Sequence, residues 1–295
     1  MNEIVQPTTI IRSTRLSDHL GVNITLASET FQHTGSFKFR AAYHLASNVP
    51  QRHIIAASSG NFGQALAYSC ALLSKTCTVV MPSTSARVKI DAVRNYGARI
   101  ELIDTRMTSR AEKVAELARS FPMAFIASAY DDPLIIEGNS SLGEELAALD
   151  QKFDYIIVPI GGGGLSSGII KGIQRSHRQI SVIGAEPSIA NDAAQSLREA
   201  RIVSLPGEPA TIADGARTVS LGEHNWAILR DGLVGIVEVP EVEIVEAVRV
   251  LYQFANLKAE PTGSLAIAAL LTEPLRFRYK QVCCVISGGN VDARV

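Results

Sequence analysis

Residues 155–173 read YIIVPIGGGGLSSGIIKGI: an apolar strand-like run, four consecutive glycines (Gly161, Gly162, Gly163 and Gly164), then a helix-like stretch. A chain that passes from strand through glycine straight into helix has few folds open to it. Four glycines in a row let the backbone approach a ligand closely and adopt positive φ. Successive N–H groups at a helix start attract an anion, and a phosphate is the most economical candidate. A glycine turn that merely lets strand and helix pack is the plainer alternative. A dinucleotide fingerprint fits poorly. Counting G-x-G-x-x-G from Gly162 and Gly164 puts the third glycine at Ser167, although Glu186 ends the next strand about 20 residues on, where a ribose contact would sit. No G-K-[ST] follows, which removes a P-loop.

The same alternation runs through the chain. HIIAAS, TCTVVMP, ARIELID, YIIVPI, ISVIGAE, VGIVEV and VCCVIS read as strands. QALAYSCALL, ARVKIDAVRNYG, SRAEKVAELARS, SLGEELAALD, SSGIIKGIQRS and VEIVEAVRVLYQFA read as helices. Short apolar strands between amphipathic helices predict an α/β fold with mostly parallel sheets and flanking helices. The 295 residues suffice for one large domain or two smaller ones.

Composition narrows the function classes. With 46% hydrophobic and 19% charged residues and a net charge of −1, the chain fits a compact soluble protein. Its basic residues are scattered, which argues against nucleic-acid partners. No apolar run approaches the ~18–20 residues of a bilayer span, and residues 1–14 lack a signal pattern. Cys70, Cys77, Cys283 and Cys284 form no C-x-x-C and read as buried thiols, so a reducing, cytoplasmic location is the expectation.

Two further segments carry chemistry. In TGSFKFRAA, Lys38 stands between Phe37 and Phe39, a setting for a desolvated, reactive amine. A lone lysine would more often be an ordinary snorkelling side chain. In ASSGNFGQALA, small hydroxyls, a glycine and Asn61 follow a strand and open a helix, offering N–H groups to a carboxylate. A plain Ser/Asn cap is the alternative there. SGGN, Ser287 to Asn290, likewise follows an apolar strand.

The motifs SFK, SSGN, GGGGL, EPS, TIADG, EPT and SGGN occur in this order, from about Pro7 to Asp292. In this the chain resembles the serine racemase and threonine/serine dehydratase family, the fold type II pyridoxal-phosphate enzymes. The resemblance implies that Lys38 carries the cofactor and that Asn61 contacts its ring hydroxyl. Gly161, Gly162, Gly163 and Gly164 would hold its phosphate, and Ser287 would face its pyridine nitrogen. Ser58, Ser59, Gly60 and Asn61 would bind the substrate carboxylate, with Ser59 also an acid/base on the face opposite Lys38. A serine hydroxyl does not keep the ring nitrogen protonated as a carboxylate does, so the ring is a weaker electron sink and β-elimination is favoured. The resemblance also implies a cation site at Glu186, the Ala190 carbonyl and Asp192. These are hard oxygen ligands suited to Mg²⁺, with Ca²⁺ or Mn²⁺ as alternatives. It implies a large cofactor-binding domain from residues 1–51 and 134–295, a small domain from 52–133 that closes over substrate, and a homodimer.

The expected reaction is conversion of a small hydroxyamino acid, L-threonine or L-serine, to a 2-oxo acid and ammonia. Serine racemisation and dehydration of 3-hydroxyaspartate are the alternatives. The chain departs from the family at Arg40-Ala41-Ala42 in place of R-G-A, at Phe62, where histidine is usual, and at Gly138-Asn139-Ser140-Ser141 in place of G-Q-G-T, which puts substrate choice in doubt. A cysteine-synthase-like β-replacement enzyme would read S-G-N-T-G and G-T-G-G-T, which this chain does not. A nicotinamide oxidoreductase and a non-catalytic cofactor-binding module are the remaining readings.

Overall fold

The computed structural model describes residues 4–58, 60–85 and 87–291. The N-terminal part gives β1 (Thr9–Arg12), α1 (Thr14–Leu20), β2 (Asn23–Ser28) and α2 (Lys38–Asn48). Next come β3 (His53–Ala57), α3 (Asn61–Leu72), β4 (Thr76–Pro82), α4 (Arg87–Asn95), β5 (Arg99–Ile103), α5 (Arg110–Ser120) and β6 (Phe125–Ala127). The remainder is α6 (Pro133–Ala148), β7 (Tyr155–Pro159), α7 (Gly164–Arg175), β8 (Ser181–Pro187), α8 (Asp192–Glu199), α9 (Glu223–Gly232), β9 (Leu233–Val239), α10 (Glu241–Ala255), α11 (Pro261–Thr272), α12 (Pro274–Phe277) and β10 (Gln281–Ile286).

The strands form two sheets: six in the order β1-β2-β10-β7-β8-β9, and four in the order β5-β4-β3-β6. All pairings are parallel except β1 with β2. The α/β architecture with mostly parallel sheets is therefore as the sequence predicts.

Residue alternation explains why the larger sheet is covered on both faces. Val282, Cys284 and Ile286 of β10 point into the core shared with α1, α10 and α11, while Cys283 and Val285 point to the core shared with α6, α7 and α9. The smaller sheet repeats the scheme. Ile54 and Ala56 face the core containing α2 and α3, and Ile55 and Val80 face Leu117 of α5. Helix starts follow local chemistry: Ser109 and Glu112 make a reciprocal capping box at α5, and Asp132 caps α6 ahead of Pro133. The four cysteines are free and buried.

In parallel sheets the loops that follow the strands gather along one edge. Here these are the Ser58–Asn61 segment after β3, residues 128–132 after β6, the glycine run after β7, residues 188–191 after β8 and SGGN after β10.

Candidate active site

Lys38 opens α2 at the point where the chain passes between cores: Phe37 packs with the larger sheet and Phe39 with the smaller one. The segment is pinned from beneath. The Phe37 N–H donates to the Ser287 carbonyl at 3.0 Å, and Ser36 bridges to Gly288. The Lys38 amine donates to the Ala129 carbonyl at 2.8 Å and lies 5.0 Å from the Phe37 ring centre and 5.8 Å from that of Phe62. Burial lowers its pKa from 10.5 to about 8, against an opposing pull from Glu260.

The residue after Ala129 connects this amine to the glycine run. Tyr130 lies against the loop so closely that a Cβ on Gly162 would enter its ring. Gly163 takes φ +96°, a left-handed value that suits glycine. The loop is held through its carbonyls: Asn225 Nδ2 donates to Gly162 O at 2.8 Å, and Asn139 Nδ2 to Gly164 O at 3.0 Å. Its N–H groups, by contrast, are taken by no carbonyl or side chain among the described residues, and α7 has no side-chain cap. Free N–H groups at the start of a twelve-residue helix are an anion cradle.

Ser58, Gly60 and Asn61 border the same site. The Ser58 hydroxyl accepts from Gly60 and Gly63 N–H at 3.3 and 3.0 Å, shaping the turn into α3. A Cβ on Gly60 would meet nothing within 4 Å, so this turn borders open space. Ser59 lies outside the described residues. Asn61 Nδ2 donates to Glu260 Oε1 at 2.8 Å. Ser287 is buried at the end of β10.

Glu260, from the EPT motif, has no role in the sequence reading. It is 5% exposed, and burial, reinforced by Asp214, raises its pKa from 4.5 to about 8. The Glu of EPT is readable as part of a motif. Its contact with Asn61 joins residues 199 positions apart, which no local pattern reveals. Tyr130, Asn225 and Ala129 escape a reading of the sequence for the same reason.

Two departures from the family pattern face inward. Asn139 holds the Gly164 carbonyl, and the Ser141 hydroxyl accepts from Arg40. Both buttress the scaffold, so their bearing on substrate choice is indirect. Phe62 alone of the departures stands beside the Lys38 amine.

Glu186 near the end of β8, Ala190 in the following loop and Asp192 at the start of α8 are all buried. The Glu186 carboxylate accepts from Ala193 and Ala194 N–H at 3.3 and 2.7 Å. Asp192 Oδ2 is buried with no partner among the described residues. Burial pushes the Glu186 carboxyl well up and that of Asp192 to about 7. Among the described residues no group of three His, Cys, Asp or Glu side chains converges.

A desolvated lysine amine bonded to a segment that packs on a glycine run with free N–H groups is an arrangement suited to a phosphorylated carbonyl cofactor. The comparisons agree: residues 1–288 match the family model of pyridoxal-phosphate dependent enzymes, and the chain belongs to that family. It is 36% identical to L-threo-3-hydroxyaspartate ammonia-lyase of Saccharomyces cerevisiae, over 100% of this chain and 91% of the relative. It is 33% identical to serine racemase of Arabidopsis thaliana, over 98% and 89%. The crystal structure of T.th. threonine deaminase superposes with a TM-score of 0.93 at 35% identity, covering 98% of this chain and 94% of that one. The sequence expectations of family and fold type are met.

Proposed function

We propose that this protein is an ammonia-lyase that removes water and ammonia from a small hydroxyamino acid, with L-threonine, L-serine and 3-hydroxyaspartate as candidate substrates. The observation that carries the proposal is the buried Lys38 amine, titrating near 8 and tied to the loop that covers the glycine run. Pyridoxal phosphate, when bound, supplies the electron-withdrawing ring that acidifies the substrate α-carbon.

The residues present suit that group. The N–H groups of Gly161, Gly162, Gly163 and Gly164 would hold its phosphate. Lys38 would carry it, and the free Lys38 amine would take the substrate α-proton at Nζ. Asn61 would donate to the ring oxygen, and Ser287 would face the ring nitrogen. Ser58, Ser59, Gly60 and Asn61 bind the substrate carboxylate. Ser59, which holds the position of the family's second acid/base, would return a proton with inverted stereochemistry. The reading includes a small domain of residues 52–133 that closes over substrate on a large one of residues 1–51 and 134–295, and a cytoplasmic homodimer.

A panel of D- and L-hydroxyamino acids, scored for 2-oxo acid, ammonia and enantiomer, tests the proposal. Release of ammonia from none of them rejects it. Enantiomer exchange without ammonia assigns a racemase, the reading favoured by the racemase relatives.

The amine titration makes a second prediction. A protonated lysine does not attack a carbonyl. Lowering its pKa from 10.5 to about 8 raises its neutral fraction at pH 7.5 about two-hundredfold. Cofactor uptake by the apoenzyme is expected to accelerate as pH rises from about 6 and to level off above about 8. The sign follows from proton loss at Lys38. A rate that is flat over this range, followed by absorbance, contradicts the assignment.

For the acidic group after β8 we propose Mg²⁺ held by Glu186, Asp192 and the Ala190 carbonyl, with water completing the shell. The partnerless Asp192 Oδ2 supports this reading, because a buried carboxylate oxygen without a partner is costly. Chelation with EDTA is expected to lower the Tm, and Mg²⁺ to restore it. At a hundred times Kd the gain is about 2.7 kcal/mol. Unchanged melting in both conditions rejects the site.

A further inference from the structure

The orientation of the Asn61 amide is decided by a chain of hydrogen bonds that begins at a carbonyl. Thr34 O can only accept, so the Asn290 atom 2.7 Å from it is Nδ2. That nitrogen also donates to an Asn61 atom at 2.9 Å, which must then be Oδ1. The other end of the Asn61 amide, Nδ2, therefore faces Glu260 Oε1 at 2.8 Å. One N–H of Asn61 is used on Glu260, and its second is left to give. The Glu260 backbone N–H donates in turn to Gly288 O at 3.1 Å.

Thr34 is held at φ +61°, an uncommon value for a residue with a Cβ. The next residue must be glycine, because a Cβ on Gly35 would run into Asn290 Oδ1. Strain at that point is retained where the surrounding structure has a use for it. Three residues after Gly35 comes Lys38. The turn that delivers the lysine thus also points the carbonyl that sets the amide.

We infer that Asn290 and Glu260 are positioning residues for Asn61, holding its amide so that one N–H is presented to the ring oxygen of the cofactor. The inference rests on the reading of Asn61 as the ring contact. Lys38 from α2, Asp214 from residues 214–216 and Lys89 from α4 are the charged groups around Glu260. None of them interrupts the chain from Thr34 to Glu260.

The test uses the full chain loaded with pyridoxal phosphate and reads cofactor Kd, absorption maximum, and kcat separately from KM. Asn290→Asp keeps the shape but replaces the donor with an acceptor, so neither Thr34 O nor Asn61 Oδ1 is served. It is expected to weaken cofactor binding about tenfold, the worth of one lost hydrogen bond, and to shift the absorption maximum. Its kcat should fall while the substrate KM stays near the wild-type value. Glu260→Gln still offers an oxygen to Asn61 and should keep the wild-type spectrum and affinity, whereas Glu260→Ala should behave as Asn290→Asp does. A wild-type spectrum and affinity in Asn290→Asp overturns the inference. So does a Glu260→Gln protein as impaired as Glu260→Ala, and this pair decides the matter should Asn290→Asp not fold. Asn61→Ala tests the underlying reading by itself: if its spectrum and affinity match wild type, Asn61 is not the ring contact.

Discussion

Lys38→Ala protein is expected to stay colourless in pyridoxal phosphate and to lose turnover by a factor on the order of 10⁴, the upper range for removing a positioned proton-transfer group. The surroundings of Lys38 make this a sharp expectation. Its amine lies between the Phe37 and Phe62 rings with one backbone partner, the Ala129 carbonyl. No other lysine amine is brought to that carbonyl among the described residues, so a neighbour does not substitute. Lys38→Arg should fail as well, since a guanidinium does not give up its proton in a protein. Absorbance in the presence of cofactor and ammonia release from the substrate panel check both variants. Colour and turnover that survive Lys38→Ala reject the assignment.

Arg40→Met is expected to cost about 3–5 kcal/mol, the penalty for leaving buried charge without its partner. Arg40 is 1% exposed and its guanidinium is fully engaged. It donates to both Glu29 oxygens at 2.7 and 2.9 Å, to Glu145 Oε1 at 2.7 Å, to Ser141 Oγ at 3.0 Å and to the Gln6 carbonyl at 3.2 Å. Glu145 in turn accepts from the Thr8 N–H at 2.7 Å. One side chain thereby ties α2 to the N-terminal segment, the end of β2 and the middle of α6. Methionine fills similar space but leaves two carboxylates facing each other. Lysine keeps a charge without the planar fork, so Arg40→Lys should fall between the two. Urea unfolding measures the loss. A change below about 1 kcal/mol in Arg40→Met would mean that the two carboxylates find other partners.

The strands with long apolar, β-branched runs were legible in the sequence, because a parallel strand buried on both faces must be apolar throughout. Elements without that signature were not. β1 has four residues, β6 has three, and β2 is NITLAS, half of it polar although five of its six residues are buried. Helix α11, PTGSLAIAALLT, lies inside the core and is apolar nearly all round, so it shows no periodic face to read. At the site, Lys38 and the glycine run could be found because their chemistry is local. Glu260, Asn225 and Asn139 act across 199, 63 and 25 positions of sequence, and only folding brings them to their partners. Arg40 was visible as part of the motif, but its role depends on carboxylates from two distant elements.

The position of β10 bears on how the chain is made. It is the last strand in sequence, yet it lies between β2 and β7 in the middle of the six-stranded sheet. The four-stranded sheet comes from one unbroken stretch, residues 53–127, and is complete early in synthesis. The larger sheet has to wait for residue 286 to clear the ribosome. Until then β2 and β7 each present an unpaired strand edge, the kind of surface that recruits other chains. The nascent protein is therefore most exposed to aggregation, and most in need of chaperone cover, in the interval between its first sheet and its last strand.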